Sequence, residues 1–216
     1  MKRWYLYPFS LVYHFVTAMR NRMYDWGIFS STKFKTPIIG VGNLSVGGSG
    51  KSPMVMYMAD LLSKNFRTGV LSRGYGRKTK GYGIVNYEST YKMVGDEAMQ
   101  LFERFRNRFV IGVCEDRVFG ARKIIDDMDL DVLLLDDSYQ HRRIKPGFNI
   151  LLTDYNDPYF KDFLLPAGNL RESRRGAKRA DLIVVTKCPE ILTEEKKQFY
   201  INKIKPRHYQ KVFFSS

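Results

Sequence analysis

The apolar run Ile38–Val41 passes into Gly42-Asn43-Leu44-Ser45-Val46-Gly47-Gly48-Ser49-Gly50-Lys51-Ser52 and then into a stretch of helical character. So short and continuously apolar a run fits a strand buried on both faces, as parallel strands are. Pro53 suits a helix's first turn, and Met54, Met58, Leu61 and Leu62 repeat at core-facing spacing. The same alternation continues. Apolar runs at Gly69–Leu71, Val110–Val113, Val132–Leu135, Asn149–Leu152 and Leu182–Val185 predict strands, with helices near Ser52–Leu62, Glu97–Phe105, Arg117–Ile125 and Glu194–Ile204. The fold class is therefore α/β with a mainly parallel sheet. At 216 residues, 44% hydrophobic, the chain has material for one large domain, or for one domain and the start of a second.

The glycine segment resembles a phosphate-binding P-loop, which makes the predicted architecture P-loop NTPase-like, a mainly parallel sheet flanked by helices. Glycines let backbone N–H groups turn inward on phosphates, so Ser45, Val46, Gly47, Gly48, Ser49, Gly50, Lys51 and Ser52 are the nucleotide-binding candidates. Lys51 would reach the outer phosphates, and the Ser52 hydroxyl would ligate Mg²⁺ at a helix N-terminus. The usual pattern has glycine where Ser45 stands, and Gly47 and Gly48 would supply that flexibility. A glycine loop that binds nothing is the alternative.

Parallel sheets present ligands beyond the carboxyl ends of their strands, and Asp131-Val132-Leu133-Leu134-Leu135-Asp136-Asp137 ends one strand in two carboxylates. Asp136 stands where Mg²⁺ would be held, directly or through water, and Asp137 where it could handle a proton or orient a base. Alternatively the pair opens a solvated turn. Lys and Arg number 36 against 22 Asp and Glu, and the net charge of +14 favours an anionic partner without choosing among nucleotide, nucleic acid, phospholipid or phosphorylated substrate. Cys114 and Cys188 have no second ligand at metal spacing, which suggests neither a zinc site nor a disulfide framework and fits a reducing compartment.

No formal charge falls between Arg3 and Arg20, yet Pro8, Ser10, His14 and Thr17 interrupt a stretch already short for a membrane span. A signal peptide would need a cleaner aliphatic centre. Phe9, Val12, Tyr13, Val16 and Arg20 fall at helical spacings, Trp4, Tyr5 and Tyr7 suit an interface, and Lys2, Arg3, Arg20 and Arg22 could meet lipid headgroups. Residues 1–26 are read as a membrane-associating interfacial helix. A helix packed on its own domain is the alternative.

Separated blocks then match one family in order and spacing: VGNLSVGGSGKSP at 41–53, VLSRGYGRK at 70–78, VGDEA at 94–98, EDR at 115–117, DVLLLDDSYQHRR at 131–143 and LLPAGNLRES at 164–173. In these the chain resembles the tetraacyldisaccharide 4'-kinases, the lipid A 4'-kinases of Gram-negative bacteria. The resemblance implies transfer of the ATP γ-phosphoryl group, with Mg²⁺, to the 4'-hydroxyl of a lipid disaccharide 1-phosphate. It further implies a peripheral or monotopic protein on the cytoplasmic face of the inner membrane, with the lipid disaccharide and an anionic membrane surface as partners, no nucleic acid and no obligate protein partner. Asp96 becomes the candidate catalytic base, with Lys51 and Asp137 beside it in the catalytic set, and Glu97 either lies near the metal or merely opens a helix. Arg117 would neutralise phosphate charge, and Arg73 would face substrate. His141 stands between phosphate contact and local hydrogen bonding. Arg171 and Glu172 gain a substrate-binding assignment from the LRES block. Arg171, Arg174, Arg175, Lys178 and Arg179 would share a basic face if their stretch were helical, a reading that Gly176 weakens. Residues 27–208 would form the kinase domain. Residues 209–216 would begin a C-terminal portion, because family members continue past Val212-Phe213-Phe214-Ser215-Ser216, and a truncated form is expected.

Two rivals stand against this reading. A GTP-binding switch is suggested by Thr186-Lys187-Cys188-Pro189 after an apolar strand, which is similar to a guanine-reading Asn-Lys-x-Asp but lacks its aspartate; Tyr139 also stands where a switch glycine belongs. A non-enzymatic basic module for membrane or nucleic acid would use the charge, but it leaves the glycine loop and the acidic blocks without a purpose.

Overall fold

The structure is a computed structural model and describes residues 3–216; Met1 and Lys2, which belong to the expected membrane-associating segment, lie outside the described residues. In chain order the elements are α1 (Tyr7–Asp25), β1 (Ile38–Asn43), α2 (Lys51–Leu62), β2 (Thr68–Ser72), β3 (Gly83–Ile84), α3 (Tyr91–Val94), α4 (Asp96–Phe105), β4 (Val110–Val113) and α5 (Arg117–Met128). There follow β5 (Val132–Leu135), β6 (Phe148–Asp154), β7 (Leu182–Thr186), α6 (Glu194–Ile204) and β8 (Lys211–Phe214). Two compact units divide the chain. One comprises residues 31–41 and 51–148, the other the residues up to Ser30, 42–50 and 149–216.

In the first unit the strand order is β3-β4-β2-β5-β1, parallel except at the β3–β4 edge. Ile38 pairs with Leu133, and Gly69 lies between Leu133 and Val110. The strands read as unbroken apolar runs because both faces are covered: α2 and α5 pack on β2, and α4 and α5 pack on β4. Leu71, Ile124, Leu133 and Leu135 are fully buried in a core that also holds Ile38, Ala121 and Ile144. Asp116 caps α5 by accepting the Val118 and Phe119 amides at 3.0 and 3.1 Å, and these bonds, Phe119's first, hold its carboxyl below the usual range. At the head of α4, Gly95 takes φ 88°, and a Cβ there would lie 2.6 Å from the Tyr75 carbonyl oxygen. Only glycine lets the VGDE segment turn into the helix at that point.

In the second unit β6, β7 and β8 are parallel, with Ile150 opposite Leu182 and Leu182 opposite Lys211. Thr193 caps α6, whose Tyr200 and Ile204 are buried. The Val212-Phe213-Phe214 run lies in β8, with alternate residues exposed. α1 packs with its polar side inward. Ser10 donates to the Leu164 carbonyl at 3.0 Å and accepts the Ala167 amide at 3.1 Å, Tyr13 donates to the Arg171 carbonyl at 2.9 Å, and Asn21 donates to Glu172 at 3.0 Å. The rings of Trp4 and Tyr7 meet Phe163 edge-on at 5.4 and 6.2 Å. The apolar side faces outward, with Phe9, Val12, Phe15 and Val16 each 59–66% exposed. Among the described residues no helix is long and apolar enough to cross a membrane.

The architecture is thus the expected P-loop NTPase-like α/β class, a mainly parallel sheet with flanking helices and a helix at the N-terminus. Several predicted strands prove one or two residues longer, and the short β3 and α3 lie outside the expectation. The stretch Arg174–Arg179 is a 3₁₀ helix, which corrects the idea of one shared basic α-helical face. Its arginines are drawn to separate acceptors: Arg174 donates to the Asp162 carbonyl at 2.7 Å, while Arg179 binds both carboxylate oxygens of Glu172 at 2.8–2.9 Å.

Candidate active site

In the second unit, the segment after β1 is the glycine loop. Gly47 and Gly50 adopt φ of 122° and 80°, where side chains are rarely found, so the loop can turn its amides. Among the described residues the amides of Gly47, Gly48 and Gly50 donate to no protein carbonyl, whereas Val46 donates to the Asn169 carbonyl at 2.7 Å. Ser45 bridges to Leu170. Buried Asn43 anchors the loop's base: its amide donates to Ser49 Oγ at 2.7 Å, and its Oδ1 accepts from the Arg171 guanidinium. Asn43 does not stand out as a site residue in the sequence, and Lys187, whose ammonium reaches the Gly48 carbonyl at 2.5 Å, does so only through the rival guanine-reading pattern at Thr186-Lys187-Cys188-Pro189. The available signal for Asn43 was a polar residue continuing an apolar strand. Arg171 thus meets the loop's anchor, and Glu172 is buried between Arg179 and Asn21.

In the first unit, side chains far apart in sequence converge. α2 begins at Lys51, whose ammonium lies 3.8 Å from Asp137. The Ser52 hydroxyl donates to Glu97 Oε1 at 3.3 Å. Asp136, at the carboxyl end of β5, is 3% exposed, and its Oδ1 has no hydrogen-bond partner among the described residues. Burial, then the neighbouring Glu97 and Asp137 charges, push its carboxyl up to about 6 against the pull of Arg117 and Lys51. Asp137 takes φ 47°, a left-handed conformation that aspartate tolerates better than most residues. Asp96, exposed in the first turn of α4, precedes Glu97.

Arg117 lies beneath this cluster rather than at its surface. It is 3% exposed and donates to the Cys114 and Asp136 carbonyls at 2.7 and 3.1 Å, and burial holds its guanidinium below the ordinary value despite Asp136 and Asp137. Arg73, exposed beyond β2, is close enough to add its charge to that effect. The His141 amide donates to the Ser138 carbonyl at 2.8 Å just past Asp137.

Among the described residues no three His, Cys, Asp or Glu side chains form a metal cage. Mg²⁺ does not require one, since it keeps waters and is bound through one or two carboxylates plus phosphate oxygens. The orphaned Asp136 oxygen, with its raised carboxyl, and the Ser52–Glu97 pair are hard oxygen donors, and they fit that ion.

A family model described as tetraacyldisaccharide-1-P 4'-kinase matches residues 2–213. The chain belongs to this family. It is 46% identical over 211 residues to the tetraacyldisaccharide 4'-kinase of Flavobacterium johnsoniae, and 42% identical over 214 residues to that of Bacteroides thetaiotaomicron. These alignments cover 97% and 98% of the chain but 62% and 56% of the relatives, so the chain spans little more than half the length of family members it matches. Among solved structures, LpxK from Aquifex aeolicus, crystallised in complex with ATP, superposes with a TM-score of 0.80 at 33% identity, covering 100% of this chain and 82% of that one. Chain and relative share one fold.

Proposed function

We propose that this chain is an ATP-dependent lipid kinase that transfers the γ-phosphoryl group to the 4'-hydroxyl of a tetraacyldisaccharide 1-phosphate. The observation that carries the proposal is the cluster of Lys51, Ser52, Glu97, Asp136 and Asp137 at the head of α2, in a chain of this family. The loop amides receive the β- and γ-phosphates, and Lys51 neutralises their outer oxygens. Ser52, Asp136 and Glu97 would hold Mg²⁺, which when bound would offset phosphate charge. Asp96 accepts the proton of the 4'-hydroxyl as its oxygen bonds to the γ-phosphorus and the bond to the β-phosphate oxygen breaks, releasing ADP. Asp137 keeps Lys51 oriented. Arg117 sets positive charge under the cluster, while Arg73, His141, Arg171 and Glu172 are assigned to the substrate side.

The outward face of α1 supplies the second part of the proposal. Apolar side chains facing water on a helix pinned by its polar side suit a surface that dips into a bilayer, flanked by Arg20 and Arg22 for anionic headgroups. The substrate's acyl chains stay in the membrane while ATP is drawn from the cytoplasm, which assigns the protein to the cytoplasmic face of the inner membrane as a peripheral or monotopic enzyme.

Nucleotide titration of the folded chain tests the assignment. ATP should bind in preference to GTP and Mg²⁺ should tighten it, while Lys51→Ala should weaken ATP use at least about tenfold without unfolding the chain. Equal ATP dependence in Lys51→Ala and wild type would contradict it.

A further inference from the structure

The geometry points to Lys187 as a positioning residue for the glycine loop, a role that rests on the nucleotide reading above. Lys187 follows β7 in a left-handed conformation, φ 56°, which aims its side chain back over the loop. Its ammonium binds the Gly48 carbonyl at 2.5 Å and Asp154 Oδ2 at 2.7 Å, while the side chain remains 52% exposed. Asp154 is itself fixed at the end of β6 by accepting the Asn156 amide at 2.8 Å. Beside it, Thr186 Oγ1 lies 3.0 Å from the Ser49 carbonyl and 3.3 Å from that of Thr153. Two successive loop carbonyls are therefore tied to the ends of β6 and β7.

The consequence follows from the planarity of the peptide unit. A trans peptide sends its C=O and its N–H in opposite directions, so holding the Gly48 carbonyl fixes the Ser49 amide, which donates to the Gly47 carbonyl at 3.1 Å, and holding the Ser49 carbonyl fixes the Gly50 amide, which donates to no protein carbonyl among the described residues. A carbonyl turned toward phosphate would repel it, and a glycine loop left untied loses the most conformational freedom when a ligand orders it. Lys187 removes both penalties before nucleotide arrives, which is preorganisation of an anion site by a cation that does not itself touch the anion. The composition of the loop gives no hint of this, because the tether lies far along the chain.

The test compares wild type with Lys187→Met, which keeps the stem without the charge, and with Lys187→Arg. ATP affinity by calorimetry, thermal midpoint, and hydrogen exchange of the Ser49 and Gly50 amides are read on each. Lys187→Met should weaken ATP about tenfold and speed exchange at the Ser49 amide while leaving Gly50, whose peptide Thr186 holds, close to wild type, with the midpoint within about 2 °C of wild type, and Lys187→Arg should recover most of the affinity. Unchanged affinity and exchange in Lys187→Met would overturn the tether and leave the nucleotide reading standing. Weakened binding that Lys187→Arg fails to restore, together with a lowered midpoint, would also overturn it in favour of a merely structural contact. A wild-type chain that binds no ATP would overturn both readings at once.

Discussion

Asp136 shows what the proposed phosphate site costs its own fold. Its carboxyl stands at about 6, against 3.8 for the free side chain. Between those values the native chain holds a proton that the unfolded chain has released, so stability is fully present below about pH 4 and falls as pH rises to about 6. Urea unfolding without divalent ions should record that fall, and Asp136→Asn should flatten it and add on the order of 2 kcal/mol at pH 7. The same substitution should reduce phosphoryl transfer by about 10²-fold or more. Asp96 is the opposite case: exposed, it should be removable at little cost to the fold, with Asp96→Asn lowering kcat by about 10²–10⁴-fold while ATP affinity stays close to wild type. A near-normal kcat at saturating lipid would move the base assignment to Asp137. Such residues were legible because they terminate apolar strands or open helices. The depth of Arg117 was not, since nothing in Glu-Asp-Arg says that two backbone carbonyls beneath the site will claim the guanidinium.

Among the elements, buried parallel strands were legible because both of their faces are apolar, and Val110–Val113 and Val132–Leu135 coincide with the predicted runs. Gly83–Ile84 was not, because two residues on an antiparallel edge leave no period to read. Arg174–Arg179 failed for another reason: helical charge spacing presumes an α-helix, and the tighter 3₁₀ turn sends each arginine elsewhere. α1 was legible as a helix, but which side packs was not, since Ser10 and Tyr13 turn inward where an apolar seam would be the ordinary choice. The membrane proposal is therefore best tested on outward residues alone. Changing Phe9, Val12 and Phe15 together to Ser should lower association with anionic liposomes about 100-fold or more with helicity unchanged, and high salt should weaken wild-type binding only in part. Flotation equal to wild type would exclude α1 as the anchor.

At the scale of the whole molecule, Lys51, Glu97, Arg117 and Asp136 come from four segments that share only one relation, their place at or beyond the carboxyl ends of parallel strands. A sequence reader can infer that edge from topology. The polar anchors of the glycine loop, Asn43 and Thr186, show their contacts only once the strands are assembled. If the cluster is a cation and nucleotide site, Mg²⁺ and ATP at about 100 times the dissociation constant should raise unfolding stability by about 2.7 kcal/mol, readable as a higher thermal midpoint. The most direct measurement follows the phosphate. The folded 216-residue chain, incubated with γ-labelled ATP, Mg²⁺ and tetraacyldisaccharide 1-phosphate in mixed micelles, should yield a bisphosphorylated lipid carrying the label at the 4'-oxygen, and Asp96→Asn should nearly abolish it. ATP-independent product, label at any other position, or no labelled lipid from a chain shown to be folded would contradict the account.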